Sequence, residues 1–159
     1  MVNVLILYYS RAGAVEAMAK AIAEGAGSVN GATSKIVRVD FANVDDFISC
    51  DAVAFGSPNY FGYMTGLMKD FFDRAWSVRQ KVTGKPAVSF TCGGSSSNTA
   101  LQSLEAMYSP FKLEKVSEGL VWGLRDQGAP SEKDLTACKK IGEDLAKAAL
   151  KKEKIVPED

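Results

Sequence analysis

The chain has no histidine among its 159 residues, and that one absence removes whole classes of chemistry. Ser-His-Asp and Cys-His catalysis, histidine-ligated metals and heme with a histidine axial ligand all need an imidazole. Cysteine is scarce too: Cys50, Cys92 and Cys138 are widely spaced, odd in number and without a CxxC pair. That pattern argues against a disulfide framework and against a zinc or iron–sulfur motif. Charge of one sign is not in excess, with 19 Lys and Arg against 19 Asp and Glu, so no overall field favours nucleic acid or an anionic membrane. No apolar run approaches a membrane span, and no basic, apolar and small-residue leader precedes the first strand pattern; a cytoplasmic protein is expected. With side-chain acid–base chemistry so depleted, any redox or group-transfer activity is expected to belong to a bound cofactor.

What is present is a repeated strand–loop–helix pattern. Val2 to Tyr9 is apolar and β-branched, the profile of a buried strand, and helical spacing begins at Val15 and closes near Gly25-Ala26-Gly27. A more exposed strand is predicted over Thr33–Val39, and a short acidic segment over Phe41–Ser49. A second buried strand follows at 51–56, with a helix from about Thr65 to Val78. The next strand covers Ala87–Thr91, and Ala100, Leu101, Leu104 and Met107 trace a helix. Leu113–Val121 reads as a fifth strand interrupted by Gly119, Trp122–Pro130 as a loop, and Ser131 as the N-cap of a helix over 132–151. One domain, residues 1–152, with a polar tail at 153–159, is expected. The alternation predicts an α/β protein with an open parallel sheet and helices on both faces. Ligands of such sheets sit beyond the carboxyl ends of the strands, where the strand order reverses.

Three predicted loops fall at that end. The first, Ser10-Arg11-Ala12-Gly13-Ala14-Val15, runs straight into a helix N-terminus, where unpaired N–H groups and the helix dipole favour an anion. It matches neither Gly-x-Gly-x-x-Gly nor a P-loop, and a plain turn with Ser10 as N-cap is the alternative. The second, Gly56-Ser57-Pro58-Asn59-Tyr60-Phe61-Gly62, joins a stiffening proline to two flat aromatic faces. It suits a planar aromatic ligand, or equally an ordinary turn whose aromatics cap the core. The third, Thr91-Cys92-Gly93-Gly94-Ser95, is rich in small residues.

Together the three loops resemble the FMN-binding loops of the flavodoxin-like superfamily, which implies an α/β three-layer sandwich with a five-stranded parallel sheet in the order 2-1-3-4-5. Gly56–Gly62, followed by Met64, Gly66, Met68-Lys69 and Phe72-Asp73-Arg74, is similar to the signature of WrbA-type NAD(P)H:quinone oxidoreductases and the NADPH-dependent FMN reductase family. Ala129 to Leu135, with Gly142-Glu143 and Leu145-Ala146-Lys147, is similar to the last helix of the WrbA type. The resemblance implies FMN as cofactor, with NAD(P)H as a possible reductant. Ser10, Arg11, Ala12, Gly13, Ala14 and Val15 would hold its phosphate. Pro58, Asn59, Tyr60, Phe61 and Gly62 would border the ring, and Thr91, Cys92, Gly93, Gly94 and Ser95 would face its pyrimidine edge. Trp122 stands as either a ring neighbour or a loop anchor.

The chain departs from the longer WrbA-type enzymes in lacking their inserted segments and active-site histidine. It also has Ala14 and Val15 where electron-carrying flavodoxins place hydroxyls, so phosphate binding would lean on backbone N–H groups. Three functions stay open at this point. They are an oxidoreductase passing electrons from NAD(P)H to a quinone or similar acceptor, a flavodoxin-type carrier serving a redox partner protein, and an interaction module without FMN. No nucleic-acid or membrane partner is expected. A homo-oligomer is, because an apolar surface running from Tyr60 and Phe61 into Tyr63 and Met64 would be left bare on a monomer.

Overall fold

A computed structural model describes residues 1–94, 97–123 and 129–155. Strand β1 (Val2–Tyr8), helix α1 (Ala14–Gly27), strand β2 (Ala32–Arg38), helix α2 (Val44–Ser49) and strand β3 (Ala52–Pro58) open the chain. Helix α3 (Gly66–Ala75), strand β4 (Pro86–Gly93) and helices α4 (Ser97–Glu105) and α5 (Tyr108–Phe111) follow. Strands β5 (Glu114–Lys115) and β6 (Leu120–Gly123) and helix α6 (Glu132–Glu153) complete it. All strand pairs are parallel, in the order β2-β1-β3-β4-β5, with β6 also on β4. The flavodoxin-like order expected from the sequence is present.

The apolar runs of β1, β3 and β4 are continuous because both sides of these strands are covered. On one face Val4, Ile6, Ala54, Val88 and Phe90 meet Val15, Met18 and Ile22 of α1 and Ile141 and Leu145 of α6. On the other, Leu5, Leu7, Val53 and Phe55 meet an aromatic cluster, Phe47, Phe71, Phe72, Tyr108 and Phe111. Phe55 lies 4.9 Å from Phe72 and 5.7 Å from Phe47 between ring centroids, the latter pair edge-to-face.

Four expectations need correction. The fifth strand is two pieces: β5 pairs Pro86 with Glu114, whereas β6 pairs Phe90 with Leu120. The offset grows by two residues, and Ser117 and Glu118 lie in the stretch between the two pairings. Trp122 and Gly123 belong to β6 and not to a loop. Helix α3 stops at Ala75, and the tighter 3₁₀ coil Trp76–Val82 carries the chain on, seating Val82 in the same core as Phe72. At the C-terminus, α6 extends through Glu153, so the expected tail begins inside the helix; 156–159 lie outside the described residues.

Helix α2 has only 6 residues, too short to hold itself together. Its N-terminus is closed by a capping box between Asn43 and Asp46. Its C-terminus is closed from outside, where Lys85 Nζ donates to the carbonyls of Phe47, Ile48 and Cys50 at 3.0, 2.6 and 2.5 Å. Burial pushes the Lys85 ammonium below its ordinary pKa, and the three oxygens replace the water it lost. Lys85→Met leaves three last-turn carbonyls without a donor. It is expected to cost about 2 kcal/mol, read as a lower urea midpoint with unchanged slope.

Candidate functional site

The chain leaves β1 through Tyr9, whose N–H donates to the Gly56 carbonyl at 3.0 Å. Ser10 is buried, and its Oγ accepts the Gly13 N–H at 3.1 Å, closing a tight turn. Gly13 has φ 100°, in the region that favours glycine, and its carbonyl accepts the Ala17 N–H at 3.0 Å as the first bond of α1. Gly13 is therefore the N-cap, and the alternative with Ser10 in that place does not hold. Helices α2, α3 and α6 are capped by the side chains of Asn43, Thr65 and Ser131. The glycine N-cap gives α1 no side-chain cap, so its first-turn amides, apart from the Val15 N–H that turns to the Cys92 thiol, face the loop with the helix dipole behind them. Arg11 and Ala12 are exposed, Ala14 is half-buried and Val15 is buried.

Sequence reasoning missed Arg38, the last residue of β2, which stands in register opposite Tyr8. Its Nη1 donates to the Ser10 carbonyl at 3.1 Å, and its Nε and Nη2 reach the two oxygens of Asp40 at 3.0 Å each. The guanidinium lies 5.3 Å from the centre of the Tyr9 ring. The hydrogen bond from Arg38 is the main cause holding Asp40 below the usual carboxylate range. Nothing local in the sequence marks Arg38, because its contact spans 28 residues.

Pro58 closes β3 as its final residue. Asn59 N–H donates to the Cys92 carbonyl at 2.7 Å, tying the second loop to the third. Its Oδ1 accepts the Gly62 N–H at 2.8 Å. Tyr60 and Tyr63 exchange two backbone bonds of 3.1 Å around Phe61 (φ 56°) and Gly62 (φ 76°). Positive φ at both central residues makes this a type I′ turn. Phe61, at 107% relative exposure, is a large aromatic held in the left-handed region at the tip. The turn is anchored below: Ser57 Oγ accepts the Thr65 N–H at 2.9 Å, and Ser103 Oγ of α4 accepts the Met64 N–H at 2.9 Å. Met64 is thus buried, and the exposed apolar surface expected to run through it consists instead of Tyr60, Phe61, Tyr63 and Leu67.

Thr91, Cys92 and Gly93 end β4, flanked by Pro58 of β3 and by Trp122 of β6 in the register of Cys92. Thr91 is fully buried, and its Oγ1 has no hydrogen-bond partner among the described residues. Burial pushes the Cys92 thiol up to about 11, against a smaller opposing pull from the Val15 N–H. It is a small neutral side chain at neutral pH, and the Val15 contact joins the third loop to the first. Gly94 is exposed, and Ser95 lies outside the described residues. Trp122 is half-buried against the α1–α6 core, and its hydrogen bond is one of the causes, after those from Ser131, that keep Asp134 below the ordinary carboxylate range. The indole anchors β6 to the start of α6.

The three loops meet at the carboxyl ends of β1, β3 and β4, where the strand order turns. A separate cavity of about 580 Å³, floored by Pro86, Val116, Ala148 and Ile155, lies at the amino end of β4. It has none of the loop residues. No group of metal-binding side chains occurs among the described residues, and no described helix is long and apolar enough to cross a membrane.

The family model described as NADPH-dependent FMN reductase matches residues 40–122, more than half of the chain. That span takes in the second and third loops and begins after the first. A flavodoxin of Aquifex aeolicus is 31% identical, with 92% of this chain and 86% of the relative covered. A protein of Geobacter sulfurreducens named NAD(P)H dehydrogenase (quinone) is 29% identical, with 94% and 98% covered. One of the same name from Syntrophobacter fumaroxidans is 34% identical, with 75% and 69% covered. Among solved structures, a flavodoxin from the domain Archaea superposes with a TM-score of 0.82 at 23% identity, over 93% of this chain and 99% of that one.

Proposed function

Because this chain belongs to the NADPH-dependent FMN reductase family, whose flavodoxin-like members work with FMN and a nicotinamide reductant, we propose that it passes electrons from NAD(P)H through FMN to a quinone or similar planar acceptor. The observation that carries this reading is the convergence of three loops of complementary chemistry at one end of the sheet. FMN has a phosphate dianion at one end and a flat ring at the other, and the residues present fit both. The uncapped N-terminus of α1, with the Ser10–Gly13 turn beneath it, suits one terminal phosphate. The buried Thr91 hydroxyl has a hydrogen bond still to give, and a Cβ at Gly94 would meet nothing within 4 Å, which leaves room for close approach by a ring edge.

Bound FMN supplies hydride and electron transfer; the chain supplies placement and polarity. Ser10 and the first-turn amides of α1 from Ala14 on would hold the phosphate end, over the turn that the Gly13 N–H closes onto Ser10 Oγ and beside Val15, whose N–H turns to the Cys92 thiol, with exposed Arg11 adding a screened charge. Tyr60 and Phe61 would border the ring on a turn anchored by Ser57 and Ser103, and N–H groups near Gly93 and Gly94 would place positive dipole at its pyrimidine edge. An acceptor would meet the ring from the side that exposes Phe61 and Tyr63.

Two of the relatives carry the name NAD(P)H dehydrogenase (quinone), and the balanced charge of this chain suits a small acceptor better than docking by charge complementarity. The rival reading, an electron carrier, draws on the likeness to the Aquifex aeolicus flavodoxin. Steady-state oxidation of NADH and NADPH with a benzoquinone acceptor separates the two. Turnover that depends on added quinone is expected. FMN-loaded protein that oxidises neither dinucleotide would make it a carrier, and release of FAD on denaturation would overturn the cofactor assignment.

A further inference from the structure

Ser10 is the pivot of the first loop, and it is held from two sides. Its hydroxyl fixes the Gly13 N–H, and its carbonyl is fixed by Arg38 Nη1. We propose that Arg38 is a positioning residue for phosphate binding, acting through the Ser10 carbonyl and not as a counter-charge; the proposal rests on the reading that this loop takes the FMN phosphate.

The geometry separates the two roles. Asp40 takes Nε and Nη2 in a fork, with both bonds at 3.0 Å, and so neutralises the guanidinium while aiming Nη1 at Ser10. Tyr9, the residue just before Ser10, lies against the same guanidinium. Three restraints on one planar group define its orientation, and Nη1, which Asp40 leaves unused, reaches the loop backbone at 3.1 Å. A lysine has one ammonium on a flexible stem and cannot grip Asp40 and Ser10 in this planar way. Asp40 itself stands in the 3₁₀ turn Val39–Phe41 directly after β2, so the edge strand carries the brace for its neighbour's loop. Freed from Arg38, the Ser10 peptide can rotate, and the Gly13 N–H and the α1 amides lose their common aim.

The test measures FMN and riboflavin affinity by fluorescence quenching at neutral pH for wild type, Arg38→Met, Arg38→Lys and Asp40→Asn. Riboflavin lacks the phosphate, so the ratio of the two affinities reports the phosphate end alone. Arg38→Met is expected to weaken FMN about tenfold and riboflavin by less than about twofold. Arg38→Lys should fail to rescue, and Asp40→Asn should weaken FMN about threefold, in the same direction. The sign of the Asp40→Asn effect is decisive: for a guanidinium acting as counter-charge, removing the competing carboxylate would tighten FMN and overturn the proposal. Equal losses of FMN and riboflavin would also overturn it, by making Arg38 a general stabiliser. A wild-type protein that takes neither flavin would sink the FMN reading and this proposal together, whereas normal FMN binding by Arg38→Met would sink the proposal alone.

Discussion

Gly13→Val is expected to weaken FMN about fiftyfold, while Arg11→Ala weakens it by less than about threefold. A Cβ at Gly13 would meet nothing within 4 Å, so the loss does not come from crowding. It comes from φ 100°, which a β-branched residue adopts only at a cost of about 2 kcal/mol. The chain avoids that cost by rotating the turn, which breaks the Gly13 N–H bond to Ser10 and redirects the α1 amides. Arg11 is exposed, and an exposed charge is screened by water and salt. Titration of apo-protein with FMN measures both. Comparable losses would mean that side-chain charge, and not backbone geometry, holds the phosphate.

Much of this was legible in the sequence because the fold writes itself in period and composition. Buried parallel strands read as unbroken apolar runs, and the three loops stand out as clusters of small residues where those runs end. The parallel sheet with helices on both faces follows from strand–helix alternation and right-handed crossovers, and its strand order from the resemblance of the three loops. What stayed hidden depends on contacts between distant segments. The hold of Arg38 on Ser10 crosses from one strand edge to another. The burial of Met64 depends on Ser103, 39 residues away. Trp122 reads as a loop residue because β6 has only 4 residues, and its partner Asp134 belongs to the next helix. The split fifth strand was half visible: Gly119 marked the break, but the two-residue offset is fixed by pairing to β4. The turn at Phe61 shows the limit most sharply, since Tyr-Phe-Gly suggests a ring contact but not that phenylalanine would take a left-handed conformation.

The largest effect on stability is expected at the crossing of α1 and α6, far from any loop. A Cβ built at Gly142 would lie 2.0 Å from the Ile22 carbonyl oxygen and 2.8 Å from the Ala26 nitrogen, and one at Gly25 would lie 2.0 Å from the Lys139 carbonyl oxygen. These neighbours are backbone, so no side chain can swing away. The two helices touch main chain to main chain, each through a glycine that meets the other. Gly142→Val must push α6 outward, opening the packing of Leu145 and Ile141 against Met18 and Ile22. The expected cost is about 3 kcal/mol, a fall in Tm of about 10 °C for a chain of this size. Gly25→Ala should destabilise in the same sense, and the double variant should lose less than the sum, because separating the helices once relieves both clashes. Strictly additive losses, or a Gly142→Val protein that melts with wild type, would show that α1 and α6 do not meet at these two glycines. Because α1 begins at the Ser10–Gly13 turn, which we propose takes the FMN phosphate, the same variant should lose FMN affinity without any substitution in that turn.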